Sequence, residues 1–376
     1  MGGIPKKKAL ILNSRQSARP MGNDQWIINA GLAIKDAVSQ GYLLLTSVGM
    51  NSWEIPLYFA SKFGAGQIIY LPAERGAEHD RIIRFCTEQF HLNESLVEWR
   101  FIETDTAGQN SNNFQTKRDS IILHDAEVVF PISLRTGGNL DLLMAESQGE
   151  QLRIVDDFKV KYETARRPCK IKIDPIGIDR NIEELFDNYI IHWTKTRNTA
   201  WPGETLYIYY NDIVRSTDRY TRSGYDTLKR ILNEKRLRGS SKRYRKGISA
   251  VAFSALKPSE AVGLMKWRAR YQEMTFEPYG IAIEKSFAEK LGVKKVFYGN
   301  AEMYQYLEED NRPYFQNIGT KGFWLPEKEY RHIGDVDLSL IPHDKMRVIV
   351  WKKEEISGVR DAFEGEIVPL YAPIGQ

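Results

Sequence analysis

The chain has 376 residues, a hydrophobic fraction of 42% and a formal net charge of +4, which is typical of a protein with two globular domains. It contains no run of about 18 apolar residues, which argues against a membrane span. Its two cysteines, Cys86 and Cys169, form no CxxC pair, so we expect a cytoplasmic protein without a structural zinc site.

Strands and helices are predicted to alternate over the first 155 residues. Apolar runs predict strands at 8–14, 42–48, 67–71, 97–102, 126–133 and 151–155. Helical periodicity predicts helices at 24–40, 51–63, 77–90, 113–124 and 139–148. Such alternation is typical of an α/β fold with right-handed crossovers. We therefore expect a doubly wound, Rossmann-like parallel sheet in a first domain that spans 1–165.

Three polar turns each follow a predicted strand and precede a predicted helix. Because the carboxyl ends of parallel strands meet at one edge of a sheet, these turns are expected to converge on a phosphate-bearing ligand. The expected ligand-binding residues are Ser14, Arg15, Ser17, Ser47, Gly49, Arg135, Thr136, Gly137, Gly138 and Asn139. In the alternative interpretation, the serine and asparagine side chains only cap helices and the glycines only turn the chain.

The same turns carry a resemblance to a known superfamily. Asn13-Ser-Arg15-Gln-Ser17 resembles the Gly-Ser-Arg opening of the DNA-processing protein A (Smf) family, with Asn13 in place of the usual glycine. The segment 41–50 is similar to the second strand and Ser-Gly loop of that family. The segment 136–146 resembles both its Ser-Gly-Ser loop and the Pro-Gly-Gly-x-Gly-Thr-x-x-Glu motif of the LOG phosphoribohydrolases.

Residues 8–160 thus resemble the SLOG superfamily, which contains both families. The resemblance implies that the first domain binds NAD or a nucleotide second messenger as its cofactor or signal. It also implies a ligand-binding role for Glu146, which falls one residue later than the glutamate of the LOG motif.

The second half of the chain is expected to form a connector and a smaller α+β domain. The connector spans 166–204 and contains a predicted helix at 182–194. The domain spans 205–376, with a helix at 225–234 and strands at 206–210, 248–254, 280–284, 293–298 and 346–351.

Five segments of this domain resemble abortive-infection proteins of the AbiGi type, which implies a role in anti-phage defence. They are 225–234, 248–254, 279–288, 293–298 and 327–331. Their order is also similar to that of ADP-ribosyltransferase-like folds, in which Tyr209 or Tyr210 takes the first-strand position. This resemblance implies that Tyr210, Ser254, Glu327 and Glu329 are catalytic and that NAD is the substrate. In the alternative interpretation, the two glutamates and Arg331 form an exposed, salt-bridged strand.

A block of basic residues lies between 215 and 246, where twelve basic and three acidic side chains occur. Such a block attracts polyanions, although it is also typical of a solvated surface. The expected nucleic-acid contacts are Arg236, Arg238, Lys242, Arg243, Arg245 and Lys246. The histidines show no metal-ligand spacing, so no metal is implied.

Three functions follow from these patterns. The preferred hypothesis is a bacterial anti-phage defence protein that couples a nucleotide- or NAD-binding domain to an effector domain. The first alternative is a Smf-like protein that binds single-stranded DNA, and the second is a LOG-like hydrolase of nucleoside-phosphate N-glycosides. We expect a homo-oligomer without a membrane partner.

Overall fold

The computed structural model divides the chain into two compact units. It describes residues 7–74, 79–104, 111–147, 152–163, 171, 173, 178, 180–241, 247–269, 273–318 and 327–371. The first unit comprises Met1–Arg167 and Thr199–Thr221, and the second comprises Pro168–Asn198 and Arg222–Gln376. The chain therefore returns to the first unit at 199–221, whereas the sequence predicts domains that end at 165 and begin at 205.

In the described part of the first unit, six parallel strands form one sheet. The strands are β1 (Lys8–Asn13), β2 (Leu43–Ser47), β3 (Gln67–Glu74), β4 (Val97–Thr104), β5 (Val128–Ser133) and β6 (Arg153–Ile154). The helices are α1 (Gln25–Ser39), α2 (Asn51–Lys62), α3 (His79–Phe90), α4 (Ser111–Asp125), α5 (Asn139–Glu146) and α6 (Leu206–Arg215). The strand order is β4-β3-β2-β1-β5-β6. This arrangement confirms the predicted α/β fold.

The apolar residues of β1 show why helices cover both faces of this sheet. Ala9 and Ile11 belong to a core that includes side chains of α1 and α2. Leu10 and Leu12 belong to a second core that includes side chains of α4 and α5. Since successive strand residues point to opposite faces, an unbroken apolar run needs a cover on each side.

The strand order changes direction between β1 and β5. The chain leaves β1 toward α1 on one face, and it leaves β5 toward α5 on the other face. Loops that diverge in this way open a crevice at the carboxyl ends of the strands, where open α/β sheets usually bind their ligands.

Two elements predicted in the second half are wrong. The predicted strand at 206–210 is the start of α6, which buries Tyr209, Tyr210 and Ile213 on one face. The predicted helix at 182–194 is instead a short 3₁₀ helix, Arg180–Phe186, followed by strand β7 (Tyr189–Trp193). β-Branched and aromatic residues favour strands when a sheet packs around them, and β7 pairs on both sides.

The second unit contains a mixed sheet. Its further strands are β8 (Arg236–Leu237), β9 (Ala250–Ser254), β10 (Trp267–Arg268), β11 (Glu273–Met274), β12 (Gly280–Glu284), β13 (Lys294–Lys295), β14 (Phe297–Gly299), β15 (Phe315–Asn317), β16 (Glu329–Ile333), β17 (Val336–Asp337), β18 (Met346–Lys352) and β19 (Glu366–Tyr371). Its helices are α7 (Gly224–Glu234), α8 (Pro258–Val262), α9 (Lys285–Lys290) and α10 (Ser357–Arg360).

Seven of these strands form the main sheet of the described second unit, in the order β13-β16-β9-β7-β12-β18-β19. All neighbours are antiparallel except β18 and β19, which run parallel. This sheet and its helices form the predicted α+β region. Among the helices that the structure describes in either unit, none has the length and apolar character needed to cross a bilayer.

Candidate functional site

Three loops meet at the carboxyl end of the six-stranded sheet. The first loop (14–24) follows β1, the second loop (48–50) follows β2, and the third loop (134–138) follows β5. The backbone N–H of Arg135 donates to Ser14 Oγ at 2.9 Å, which joins the first and third loops. The side-chain amide of Asn51 donates to the backbone carbonyl of Ser17, which joins the first loop to the start of α2.

Asn13, the last residue of β1, has an unusual environment among these loops. Its side chain is only 3% exposed, yet neither of its polar atoms has a hydrogen-bond partner within the described residues. A buried polar group without a partner typically costs about 1–3 kcal/mol. Ser52 Oγ and Gln16 Nε2 are buried without a described partner in the same region. A ligand that supplies the missing hydrogen-bond partners would explain these unsatisfied groups.

Two helices begin at this edge without a side-chain cap. The N-caps of α2 and α5 are Met50 and Gly138, and no described side chain accepts from the first amides of either helix at its cap. Uncapped amides and the helix dipole favour an anion at a helix N-terminus. The N-termini of α2 and α5 therefore contribute backbone donors and positive potential to this part of the sheet edge.

The loops already show that their backbone amides bind anionic oxygens. Gly49 N–H donates to a carboxylate oxygen of Glu54 at 2.8 Å, and Gly137 N–H donates to a carboxylate oxygen of Asp141 at 2.9 Å. Both glycines have a positive φ, +100° and +68°, a conformation that other residues adopt only with strain. Glycine is thus required at these two positions for the loop geometry.

The predicted ligand-binding residues are not equally available. Arg15, Arg135 and Asn139 are exposed, and the guanidinium groups of the two arginines have no ion-pair partner among the described residues. Thr136, Gly137 and Gly138 share the third loop with Arg135, and Ser17 is half-buried in the first loop. These residues lie together at the sheet edge, while their role in binding stays a prediction.

Two of the predicted residues are placed differently. Ser47 is fully buried, and its hydroxyl donates to the backbone carbonyl of Tyr70 at 2.8 Å, so this group is used inside the sheet. Glu146 is the last residue of α5. At 1.5 Å per residue it lies about 10 Å along the helix axis from the third loop. The structure therefore does not bring Glu146 to the loops that it was expected to join.

Arg118 of α4 supports the second loop, and the sequence prediction missed it. Its side chain is 1% exposed and donates to the backbone carbonyl of Val48 at 3.1 Å. Its guanidinium lies 4.7 Å from the ring centroid of Trp53 and pairs with Asp119 at 2.8 Å. Burial raises the pKa of the Asp119 carboxyl, although the charge of Arg118 opposes this rise. No sequence signal separates Arg118 from an exposed helix residue. Asn13, by contrast, stands in the sequence where the similar Smf opening has a glycine.

A cavity of about 350 Å³ adjoins the first loop. It is lined by Gln16, Ser17, Asp24, Gln25, Trp26, Ser133, Val160, Lys161 and Glu163. The hydroxyl of Tyr162 donates to the carbonyl of Arg15 at 2.8 Å, which ties the segment after β6 to the first loop. The volume falls in the range of about 300–1,000 Å³ that is typical of small-molecule sites.

The predicted catalytic residues of the second unit form a compact polar cluster. Glu329 of β16 lies directly opposite Ser254 of β9 in the antiparallel register. Ser254 Oγ donates to the carbonyl of Glu327 at 2.6 Å. Glu329 accepts two hydrogen bonds from Arg331, at 2.7 and 3.0 Å, and the Arg331 side chain is only 3% exposed. Arg331 is buried and Glu329 is half-buried, so the alternative of an exposed salt-bridged strand is wrong in that respect.

Tyr210 belongs to the first unit, whereas the strands that carry this cluster belong to the second. It lies on α6 within the first unit, where its hydroxyl donates to the carboxylate of Glu54. Burial, reinforced by the charge of Glu54, raises the pKa of Tyr210 well above its usual value. In the second unit, a cavity of about 580 Å³ is lined by Asn188, Tyr189, Glu284, Lys285, Ser286 and Glu289. A catalytic role for Ser254, Glu327, Glu329 or Tyr210 stays a prediction.

Three arginines in the described part of the basic block are ion-paired. Arg238 and Arg230 both contact Glu234, at 2.9 and 2.6 Å, and Arg236 lies 4.0 Å from Asp335. Lys242, Arg243, Arg245 and Lys246 lie outside the described residues. Nucleic-acid binding by this block stays a prediction. No group of three or more His, Cys, Asp or Glu side chains in the described ranges is arranged to hold a metal ion.

No family model and no curated protein matches this sequence. Solved structures that match part of it include DNA processing protein A from Helicobacter pylori, described for its single-stranded DNA binding mode, with 11% identity and a TM-score of 0.29. The match covers 39% of this chain and 63%, less than two thirds, of that chain. The molybdenum cofactor carrier protein from Chlamydomonas reinhardtii matches with 14% identity and a TM-score of 0.24, covering 39% of this chain and 74% of that one. Likenesses this low carry no argument about function.

Proposed function

We propose that the first unit binds a phosphate-bearing small molecule, a nucleotide or an NAD-like dinucleotide, where the three loops meet. The observation that carries this proposal is the Asn13 amide, which is buried at the end of β1 with both polar atoms unsatisfied by the described protein. A carboxamide both donates and accepts, so it matches a ligand that carries hydroxyl or ring nitrogen groups beside a phosphate.

The surrounding charges support an anionic ligand. The N-termini of α2 and α5, which have no side-chain cap, lie at this edge. The guanidinium groups of Arg15 and Arg135, which have no ion-pair partner among the described residues, lie there too. Arginine can hold a phosphate through two parallel hydrogen bonds. The adjoining cavity, which includes Trp26 in its lining, offers space for the remainder of a nucleotide.

Thermal unfolding with AMP, ADP-ribose, NAD and a cyclic dinucleotide tests this proposal. A ligand at about 100 times its dissociation constant stabilises the folded state by about 2.7 kcal/mol. We expect one of the four to raise the melting temperature of the wild type. The Arg15→Ala variant should lose most of this shift, because charge-assisted hydrogen bonds contribute about 1.5–3 kcal/mol each.

The matched control is Arg81→Ala, which removes an exposed arginine from α3 rather than from a loop of the site. It should respond to ligand as the wild type does. The absence of a shift with all four ligands, or an equal loss in both variants, would contradict the proposal.

Single-stranded DNA is a second candidate ligand, because Arg15 and Arg135 are both exposed at the open side of the loops. Each phosphate neutralised on a single strand changes the slope of log affinity against log salt concentration by about −0.7. A titration of a labelled oligonucleotide at several salt concentrations therefore distinguishes DNA binding from nucleotide binding. A slope near zero, or no binding at low salt, would exclude this candidate.

The proposal stops at binding. A LOG-like hydrolase would be expected to use Glu146, which lies at the far end of α5. Anti-phage defence, an ADP-ribosyltransferase-like effector and a homo-oligomer stay predictions of the sequence.

A further inference from the structure

The segment 199–221, which contains α6, contacts the first loop of the candidate site. Gly22 N–H donates to Ser216 Oγ at 2.9 Å, and Asn23 N–H donates to the carbonyl of Thr217 at 3.2 Å. The backbones are so close that a Cβ atom at Gly22 would lie 2.0 Å from the carbonyl oxygen of Ser216. No side chain fits there, so the first loop and the end of α6 are in direct backbone contact.

The same segment reaches the second loop through one carboxylate. One oxygen of Glu54 accepts from Gly49 N–H at 2.8 Å, and the other accepts from the Tyr210 hydroxyl. Tyr210 is 3% exposed, and its raised pKa keeps the hydroxyl protonated, so it remains a donor at physiological pH. Glu54 therefore connects a backbone amide of the candidate site to a buried side chain of α6.

The segment is built to hold a fixed position in the first unit. Tyr58 of α2 donates to the side-chain carbonyl of Asn211 at 2.9 Å, and Tyr209, Tyr210 and Ile213 belong to the core beneath α1 and α2. The chain on both sides of the segment belongs to the second unit. The first and second loops thus contact a segment of the chain whose two ends both continue into the second unit.

We propose that residues 199–221 act as a clamp that sets the conformation of the first and second loops, with Tyr210 as a positioning residue that acts through Glu54. The effect of the clamp on ligand binding rests on the proposed function, whereas its effect on the conformation of the two loops can be tested without a ligand. A ligand phosphate that bound Gly49 N–H would displace Glu54 and so alter its contact with Tyr210. Coupling of this kind is reciprocal, so ligand binding should also change the protection of the α6 amides from hydrogen exchange.

Hydrogen–deuterium exchange on the full chain tests the clamp. In Tyr210→Phe, the amides of 48–54 should exchange about tenfold faster, since a hydrogen bond to a charged group is lost. The third loop should be unaffected. The matched control is Tyr207→Phe on the same helix, because the Tyr207 hydroxyl has no hydrogen-bond partner among the described residues.

A second pair of variants makes the test independent of simple destabilisation. Glu54→Ala should accelerate the same amides, because it removes the contacts with both Gly49 N–H and Tyr210. Adding Tyr210→Phe to Glu54→Ala should cause no further acceleration, because the Tyr210 hydroxyl acts through Glu54. Gly22→Ala should accelerate exchange in the first loop. Equal rates in Tyr210→Phe and Tyr207→Phe, or uniform acceleration across the first unit, would overturn the clamp.

A final measurement separates this inference from the proposed function. If AMP shifts the wild type, its dissociation constant should rise severalfold in Tyr210→Phe and stay unchanged in Tyr207→Phe. If AMP and the other three nucleotides all fail to bind, the proposed function fails, and the exchange rates still decide whether the clamp exists.

Discussion

At the amino end of the six-stranded sheet, the Asp125 carboxylate accepts hydrogen bonds from Lys8, Tyr70 and Arg100. At the carboxyl end of the same sheet, the Asn13 amide is buried without a described partner. The Asp125 carboxylate is thus satisfied by the described protein, while the Asn13 amide retains unused hydrogen-bonding capacity. Since an unpaired buried group reduces stability, this difference favours a structural role for the Asp125 cluster and a binding role for Asn13.

The Arg331 cluster of the second unit resembles the Asp125 cluster in this respect. Buried Arg331 is held by Glu329, by Gln316 and by the carbonyls of Pro313 and Phe315. Such a saturated arrangement is typical of a structural ion pair. Variants of the Glu329–Arg331 pair and of Asn13 should therefore differ in their effects on stability.

The largest expected effect on stability is that of removing Glu329, the partner of the buried Arg331. Glu329→Ala should lower the free energy of unfolding by about 3 kcal/mol, because it leaves the buried Arg331 guanidinium without its anion. Urea denaturation measures the change, and Glu302→Ala, which removes an exposed carboxylate, is the control. Nicotinamide release from NAD by the wild type but not by Glu329→Gln would instead favour the catalytic prediction.

A substitution of Asn13 should change the free energy of unfolding in the opposite direction. Asn13→Leu replaces the amide with an apolar group of similar size, so we expect the free energy of unfolding to stay constant or rise by about 1 kcal/mol. The same variant should lose the thermal shift with the nucleotide that stabilises the wild type. A clear loss of stability with an unchanged ligand response would contradict the assignment of Asn13 to the site.

The smallest effect concerns pH. Burial alone would raise the pKa of Asp125, but the hydrogen bonds from Lys8 and Tyr70 and the charge of Arg100 outweigh it and lower the pKa below 3.8. A carboxyl with a lowered pKa in the folded state contributes stability above its unfolded pKa, and this contribution is lost as the pH falls through the folded value. Acid unfolding of the wild type should therefore be steeper below about pH 4 than that of Asp125→Asn. Parallel acid profiles would show that Asp125 contributes nothing.

Much of the first unit could be predicted from its sequence. The loops after β1, β2 and β5 were located because an apolar run, a polar turn and a helical period are local patterns. The second half was harder, since the run from Leu206 to Tyr210 fits the composition of a strand. Thr205 caps helix α6 at this point, and the aromatic side chains of α6 are buried by packing against α2 and α3. That packing depends on residues far away in the chain.

By itself, the sequence determined the alternation of strands and helices, the parallel sheet and the three polar turns at the carboxyl edge of that sheet. Each of these features follows from patterns of residues that are close together in the sequence. Only the tertiary structure decided that Asn13 is buried without a described partner, that Arg118 supports the second loop and that Tyr210 contacts Glu54. Glu54 and Tyr210 are 156 residues apart. Contacts over such distances follow from how whole elements pack, and no local pattern of residues encodes them.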